Sequence, residues 1–385
     1  MKNIYLDYAS TAPLCTAARE AAISSMDNFG NPSSMHNVGL LAEKEVSAAR
    51  EMVASAINAK PSEIHFTAGG TEANNLAIFG GAKLPNGTGI ITSPTEHSSV
   101  KYPFLTLGQR GFKMFHVEHF WHGGINPDSL RNVLKQTSPV SLISFHHVQN
   151  ETGVVQDIAA LAKIVRDICP TALVHVDAVQ SFCKIAIDVR AMDVDFISLS
   201  AHKIGGLKGC GALYVRDKVH VAPLILGGGQ ERGVRSGTEN VIGIAAFGAA
   251  TKERYEKLQE NYSCVQRLKE LFLSEIDGID GIKINGENTS PYILNISVAD
   301  VRPEVLLNAL SAEGVYISAG AACSSNKKQK KEEAAVLEAY GLSKERSQSA
   351  VRISFSPETT QEEIKEAAEA FIRNIAILRK LRKMR

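Results

Sequence analysis

Apolar and polar positions along this chain follow two periods that alternate. Residues 38–59 carry apolar side chains at helical spacing, and Pro61 follows the end of the run. Residues 64–67 then predict a short strand, and residues 72–79 a helix. Residues 89–92 predict a second strand, 140–148 a longer one, and 157–168 another helix. The run Ala172-Leu173-Val174-His175-Val176-Asp177 is apolar enough to be buried on both faces, and 196–199 and 211–215 resemble it. Buried strands alternating with helices predict an α/β fold, a mainly parallel sheet covered by helices. Near residue 240 the pattern changes. One long helical run, 240–276, has charges on one face and Ala, Leu and Phe on the other. Strands at 292–298, 315–318 and 351–355, separated by helices, follow it as a smaller α+β domain. The expected division is a large domain over 15–260 and a small one built from 1–14 and 261–385.

The length of 385 residues suits two domains. Lys+Arg number 42 against 41 Asp+Glu, so no global field favours nucleic acid or an anionic membrane. The basic runs 327–331 and 379–383 read as a solvated loop and a terminal helix face. The start, Met1-Lys2-Asn3-Ile4-Tyr5-Leu6-Asp7, lacks the apolar core of a signal peptide, and no stretch is apolar enough to cross a bilayer. The expected address is the cytoplasm. Cys15, Cys169, Cys183, Cys210, Cys264 and Cys323 are scattered, with no Cys-x-x-Cys pair, which suits reduced thiols.

Five segments carry candidate chemistry. In Ser200-Ala201-His202-Lys203-Ile204-Gly205-Gly206 a strand ends and a lysine follows in a Gly-rich turn. An amine held there and partly desolvated suits Schiff-base chemistry, with Ser200 and His202 near a phosphate; the alternative is a surface lysine. Asp177 ends a buried strand, where a carboxylate needs a partner. A protonated pyridine nitrogen would serve, with Gln180 near the ring's phenolic oxygen; the alternative is a helix cap. Gly69-Gly70-Thr71 lies between a strand and a helix, where free N–H groups cradle phosphate, although many such turns are Gly-rich for steric reasons. Cys323 sits among small residues ahead of a charged run, an accessible place for a nucleophilic thiolate, whereas Cys210 reads as structural. Arg352 lies in a strand and suits a substrate carboxylate, or is simply an exposed arginine. The cluster His116, Glu118, His119 and His122 is broken by Phe120 and Trp121 and reads as a loop rather than a metal site.

Together these segments resemble the cysteine desulfurases, a branch of the class V aminotransferase-like, fold-type I pyridoxal-phosphate enzymes. The likeness begins at Tyr5-Leu6-Asp7-Tyr8-Ala9 and Phe29-Gly30-Asn31-Pro32-Ser33. It continues through Thr95-Glu96-His97, Asn150-Glu151-Thr152-Gly153 and the His202-Lys203 segment, then residues 227–238, and ends with Cys323 and Arg352.

The resemblance implies the following roles. Lys203 holds pyridoxal 5′-phosphate as a Schiff base and moves the substrate's Cα proton. Asp177 pairs with the pyridinium, Gln180 contacts the phenolic oxygen, and His97 stacks over the ring and serves in acid–base steps. Gly70, Thr71, Ser200 and His202 hold the phosphate, and Thr238 reaches the phosphate of the other subunit of a homodimer. Asn150 contacts the cofactor and, with Arg352, binds the carboxylate of L-cysteine. Cys323 takes the sulfur as a persulfide, alanine leaves, and the sulfur passes to an acceptor such as an iron–sulfur scaffold or a thiolation pathway. Neighbouring readings are a selenocysteine lyase or related lyase or transaminase, in which Cys323 is not essential, and a non-catalytic sulfur-assembly scaffold. The chain departs from many relatives at Gly70, Gln149, Gly206-Leu207 and Ser356, and most in the charged segment 326–333, which bears on the acceptor.

Overall fold

The computed structural model describes residues 3–83, 87–121, 123–137, 139–318 and 335–383. Its centre is a seven-stranded sheet. The strands are β2 (Ile64–Thr67), β3 (Gly89–Thr92), β4 (Lys113–His116), β5 (Val140–His146), β6 (Leu173–Asp177), β7 (Phe196–Ser200) and β8 (Gly211–Val215), in the order β2-β8-β7-β6-β5-β3-β4. From β7 to β4 every pairing is parallel, whereas β8 runs antiparallel to both β7 and β2. Only residues 201–210 separate β7 from β8. That is too short for the crossover a parallel return needs, so the chain doubles back. The same short return holds Lys203.

Strands β2, β3 and β6 to β8 are almost wholly buried, as their apolar runs predict. The edge strand β4, which the apolar pattern does not announce, is half exposed. Helix Ile158–Ile168 begins where Asp157 accepts a hydrogen bond from the Ala160 N–H at 3.0 Å. Helix Gly70–Gly81 starts two residues ahead of the expected 72, because Gly69 at φ 152° takes the cap position without a capping side chain.

Residues 240–276 form two helices, Val241–Glu256 and Leu258–Glu275, meeting at Lys257, rather than one. The first buries Ala246, Phe247 and Ala250 in the core under the large sheet. The second buries Val265, Leu268 and Phe272 in a separate core. The break lets one run of sequence serve both. The second core lies against an antiparallel sheet, β12-β10-β9, made of β9 (Ile282–Asn285), β10 (Ile293–Val298) and β12 (Ala350–Ser354). Phe272 packs edge-on against Phe355 and Phe371, with ring centroids 6.2 and 5.9 Å apart. Near the N-terminus, β1 (Ile4–Tyr5) pairs with β11 (Val315–Tyr316). Ile4, Leu6 and Ala9 join this second core, while Cys15 and Ala18 join the first. Among the described residues, no helix is long and apolar enough to cross a membrane.

Candidate active site

A cavity of about 1360 Å³ opens above the C-terminal ends of the parallel strands, between the two cores. In open parallel sheets this is where ligands bind, because loops diverge there and helix N-termini point inward. Asp177 ends β6, Ser200 ends β7, and His97 follows β3; all three line the cavity.

Lys203 sits in the turn after β7. Its Nζ donates to the carbonyls of Ala9 at 2.6 Å and Ser10 at 2.8 Å. Burial, helped by the nearby Arg352 charge, pulls its amine down to about 8. A fraction of the amine is therefore free near neutral pH, as a nucleophilic lysine needs. His202 beside it is pulled down to about 4 by burial and by Lys203, and its Nδ1 lies 3.1 Å from Thr11 Oγ1.

Asp177 Oδ2 accepts from Asn74 Nδ2 at 2.7 Å, and Oδ1 from the Val179 N–H at 3.0 Å. Each oxygen keeps a lone pair for a further donor. Asn74 Nδ2 also reaches Ser99 Oγ at 2.8 Å, and Ser99 Oγ lies 2.7 Å from His97 Nδ1. The His97 ring stands open to the cavity, and desolvation by the packed wall lowers its pKa, with Asp177 opposing and Lys203 assisting. Gln180 Nε2 donates to the Ala9 carbonyl at 2.8 Å.

A second network backs this wall. Gln156 Oε1 accepts the Ile125 N–H at 2.8 Å, so its amide nitrogen must face His146 Nε2, 3.1 Å away. His146 Nε2 is then an acceptor, with Tyr340 O–H a second donor at 3.2 Å. The His146 proton therefore lies on Nδ1, 2.8 Å from Glu96 Oε1. Glu96, fully buried, has its carboxyl raised by desolvation against the pull of His146. Sequence reasoning gave Glu96 no role and passed over His146 and Tyr340.

Arg352, on β12, closes the cavity from the small core. Its Nη1 donates to the Asn150 carbonyl at 3.0 Å and to Glu151 Oε1 at 2.9 Å. Its Nη2 donates to Asp7 Oδ1 at 3.0 Å and Ser10 Oγ at 2.7 Å. It is buried rather than an exposed strand arginine. The Asn150 side chain donates to Glu151 Oε1 at 2.8 Å. Any carboxylate entering the cavity here would have to compete with Asp7 and Ser10 for Nη2.

The cavity thus brings together Gly70, Thr71, His97, Asn150, Asp177, Gln180, Ser200, His202, Lys203 and Arg352 from the sequence-predicted set. Thr238 does not line it; it is exposed on a surface loop. Glu231 anchors that loop by accepting from Arg50 at 2.7 and 2.9 Å and from the Phe66 N–H at 2.9 Å. Cys323 lies outside the described residues, between Ser318, whose backbone pairs with Arg352, and Val336, both on the cavity wall. The Cys210 thiol is buried and pushed up to about 12. His119 contacts Ser93 Oγ at 2.7 Å and Thr95 Oγ1 at 3.0 Å, and His122 lies outside the described residues.

The model of the family described as aminotransferase class-V matches residues 4–366. The chain belongs to this family. It is 42% identical to cysteine desulfurase IscS of Vibrio cholerae serotype O1 (strain M66-2) over 376 residues, which cover 95% of this chain and 91% of that protein. Among solved structures, a NifS-like protein superposes with a TM-score of 0.91 at 32% identity, covering 98% of this chain and all of the other. SspA, solved in complex with cysteine, gives 0.79 at 33% identity over 93% of this chain and all of SspA.

The class-V family uses pyridoxal phosphate, and the wall of this cavity fits that group. A lysine whose amine is lowered to about 8, a carboxylate with spare lone pairs and the first turn of helix Gly70–Gly81 supply the three kinds of partner it needs. Among the described residues, Gln180 Oε1 is moreover buried without a hydrogen-bond partner.

Proposed function

We propose that this chain is a cysteine desulfurase that takes sulfur from L-cysteine, leaves L-alanine and carries the sulfur as a persulfide on Cys323. The observation that carries the reading is the Lys203 amine, lowered to about 8, facing the same cavity as the Asp177 carboxylate and the Arg352 guanidinium. Lys203 would hold the cofactor's aldehyde carbon, Asp177 its ring nitrogen, and Gln180 its phenolic oxygen. Gly70, Thr71, Ser200 and His202 would surround the phosphate.

When bound, pyridoxal phosphate supplies an electron sink for the charge left on the substrate's Cα. The protein supplies the rest. Arg352 and Asn150 orient the substrate carboxylate, with Asp7 and Ser10 giving way at Nη2. Once the substrate's amine has taken its place, the released Lys203 amine would take the Cα proton. The Cys323 thiolate attacks the substrate sulfur; the C–S bond breaks as the S–S bond forms, so a thiol and cysteine become a persulfide and alanine. An acceptor such as an iron–sulfur scaffold then takes the outer sulfur. The free described cysteines suit a reducing compartment such as the cytoplasm.

The working unit in this reading is a homodimer in which Thr238 completes the partner's phosphate site. Its support is the exposed position of Thr238 and the apolar surface of Phe29, Met35 and Leu226, which are 87%, 96% and 80% exposed. Domain limits at 14/15 and 260/261 are supported by Ile4, Leu6 and Ala9 sharing a core with Val265, Leu268 and Phe272 while Cys15 and Ala18 pack in the large one, with Val148 reaching across into the small core.

The test is paired variants of the full chain. Lys203→Ala should lose the visible absorbance of lysine-bound cofactor. Cys323→Ser should keep that absorbance, still respond spectrally to cysteine, and lose sulfide release by at least a hundredfold. Full turnover in Cys323→Ser would refute the assigned nucleophile.

A further inference from the structure

Asn74 and Ser99 lie between two groups already given roles, and neither has one in the scheme above. Both are buried, at 1% and 8% exposure. The direction of each hydrogen bond around them is fixed by chemistry. A carboxylate only accepts, so the Asn74 atom 2.7 Å from Asp177 Oδ2 is the amide nitrogen. That nitrogen has a second hydrogen, and Ser99 Oγ, 2.8 Å away, accepts it. The Ser99 hydroxyl proton is then free to donate to His97 Nδ1 at 2.7 Å. The Ser99 backbone N–H donates to the same Nδ1 at 3.1 Å. With two donors aimed at Nδ1, that atom carries a lone pair and the imidazole proton sits on Nε2.

We propose that Asn74 and Ser99 are positioning residues that hold His97 as the neutral Nε2–H tautomer, so that it meets the cavity as a hydrogen-bond donor whose orientation is tied to Asp177. Protonating Nδ1 would leave the Ser99 N–H without its acceptor and turn the Ser99 hydroxyl away, undoing the chain back to Asp177. His97 therefore stacks and donates, and moving the Cα proton is left to Lys203. This consequence for the reaction rests on the desulfurase reading, whereas the tautomer does not. The charged groups that act on His97 are Asp177, on the strand below, and Lys203, in the facing turn; they oppose each other, and desolvation by the wall the ring packs on favours the neutral ring.

The experiment is nitrogen-15 NMR of the full chain labelled at histidine, without cofactor and again after adding pyridoxal phosphate, with His97→Gln identifying the His97 signals. The expected result is an Nε2–H tautomer in both states at neutral pH. Ser99→Ala removes the hydroxyl and leaves the backbone N–H. It should favour Nδ1 protonation about tenfold, one pKa unit, and Ser99→Thr, which restores a hydroxyl, should return the wild-type titration. A proton on Nδ1 of wild-type His97 near neutral pH would overturn the proposal. So would a Ser99→Ala titration identical to wild type. Persulfide formation is measured separately, so a wrong tautomer and a wrong reaction are distinguishable.

Discussion

At the scale of single residues, the site depends on groups held away from their ordinary protonation. Lys203 is the clearest case. Burial disfavours its ammonium, Arg352 adds to the effect, and the amine falls to about 8. Because the free amine is the reactive form, capture of pyridoxal phosphate by the cofactor-free protein should speed up with rising pH and level off above a midpoint near 8. Borohydride trapping at intervals after mixing measures it. A midpoint in the usual lysine range, about 10.4, would show that the burial is not felt. Lys203 and Asp177 were legible in the sequence because each stands at the end of an apolar strand run, where a charge demands a reason. Asn74 and Ser99 were not. Asn74 is a polar residue on a helix 103 positions from the carboxylate it serves, and only the folded sheet brings them together. Ser99 lies two residues after His97, in the first turn of a helix, Ser98–Gln109, that the apolar pattern does not announce.

At the scale of elements, the decisive piece is the short return between β7 and β8. It reverses the sheet direction, holds Lys203 over the cavity, and relies on close backbone approach at Gly211. A Cβ there would lie 2.6 Å from the Leu199 carbonyl oxygen and 2.7 Å from the Gly69 backbone. Gly211→Ala must push β8 away from both, and should cost about 1–3 kcal/mol as overpacking, seen as a lower denaturant midpoint. A midpoint unchanged from wild type would mean that β8 has room to spare. The strands of this layer were legible almost to the residue, since buried parallel strands read as short apolar runs between turn signals. Edge strand β4 escaped because its side chains are half in water and show no such run. The break at Lys257 escaped for a different reason: neither Gly nor Pro marks it, and it is set by which core each half packs on.

At the scale of the whole molecule, two hydrophobic cores face each other across one cavity, and the N-terminal segment ties them together. Ala9 belongs to the small core, yet its carbonyl accepts from Lys203 and Gln180 of the large one. Arg352 reaches from the small core to Asp7 and Glu151. The groups lining the cavity thus come from both sides, and Ser318 and Val336, which flank Cys323 in the sequence, line it as well. The central claim is that sulfur from cysteine ends on that one thiol. It is tested most directly by mass spectrometry of the full chain, loaded with pyridoxal phosphate, mixed briefly with L-cysteine, alkylated and digested. The account predicts one added sulfur on the peptide containing Cys323, and none in Lys203→Ala. Alanine formed with no added sulfur on that peptide, or with the sulfur on another cysteine, would contradict it.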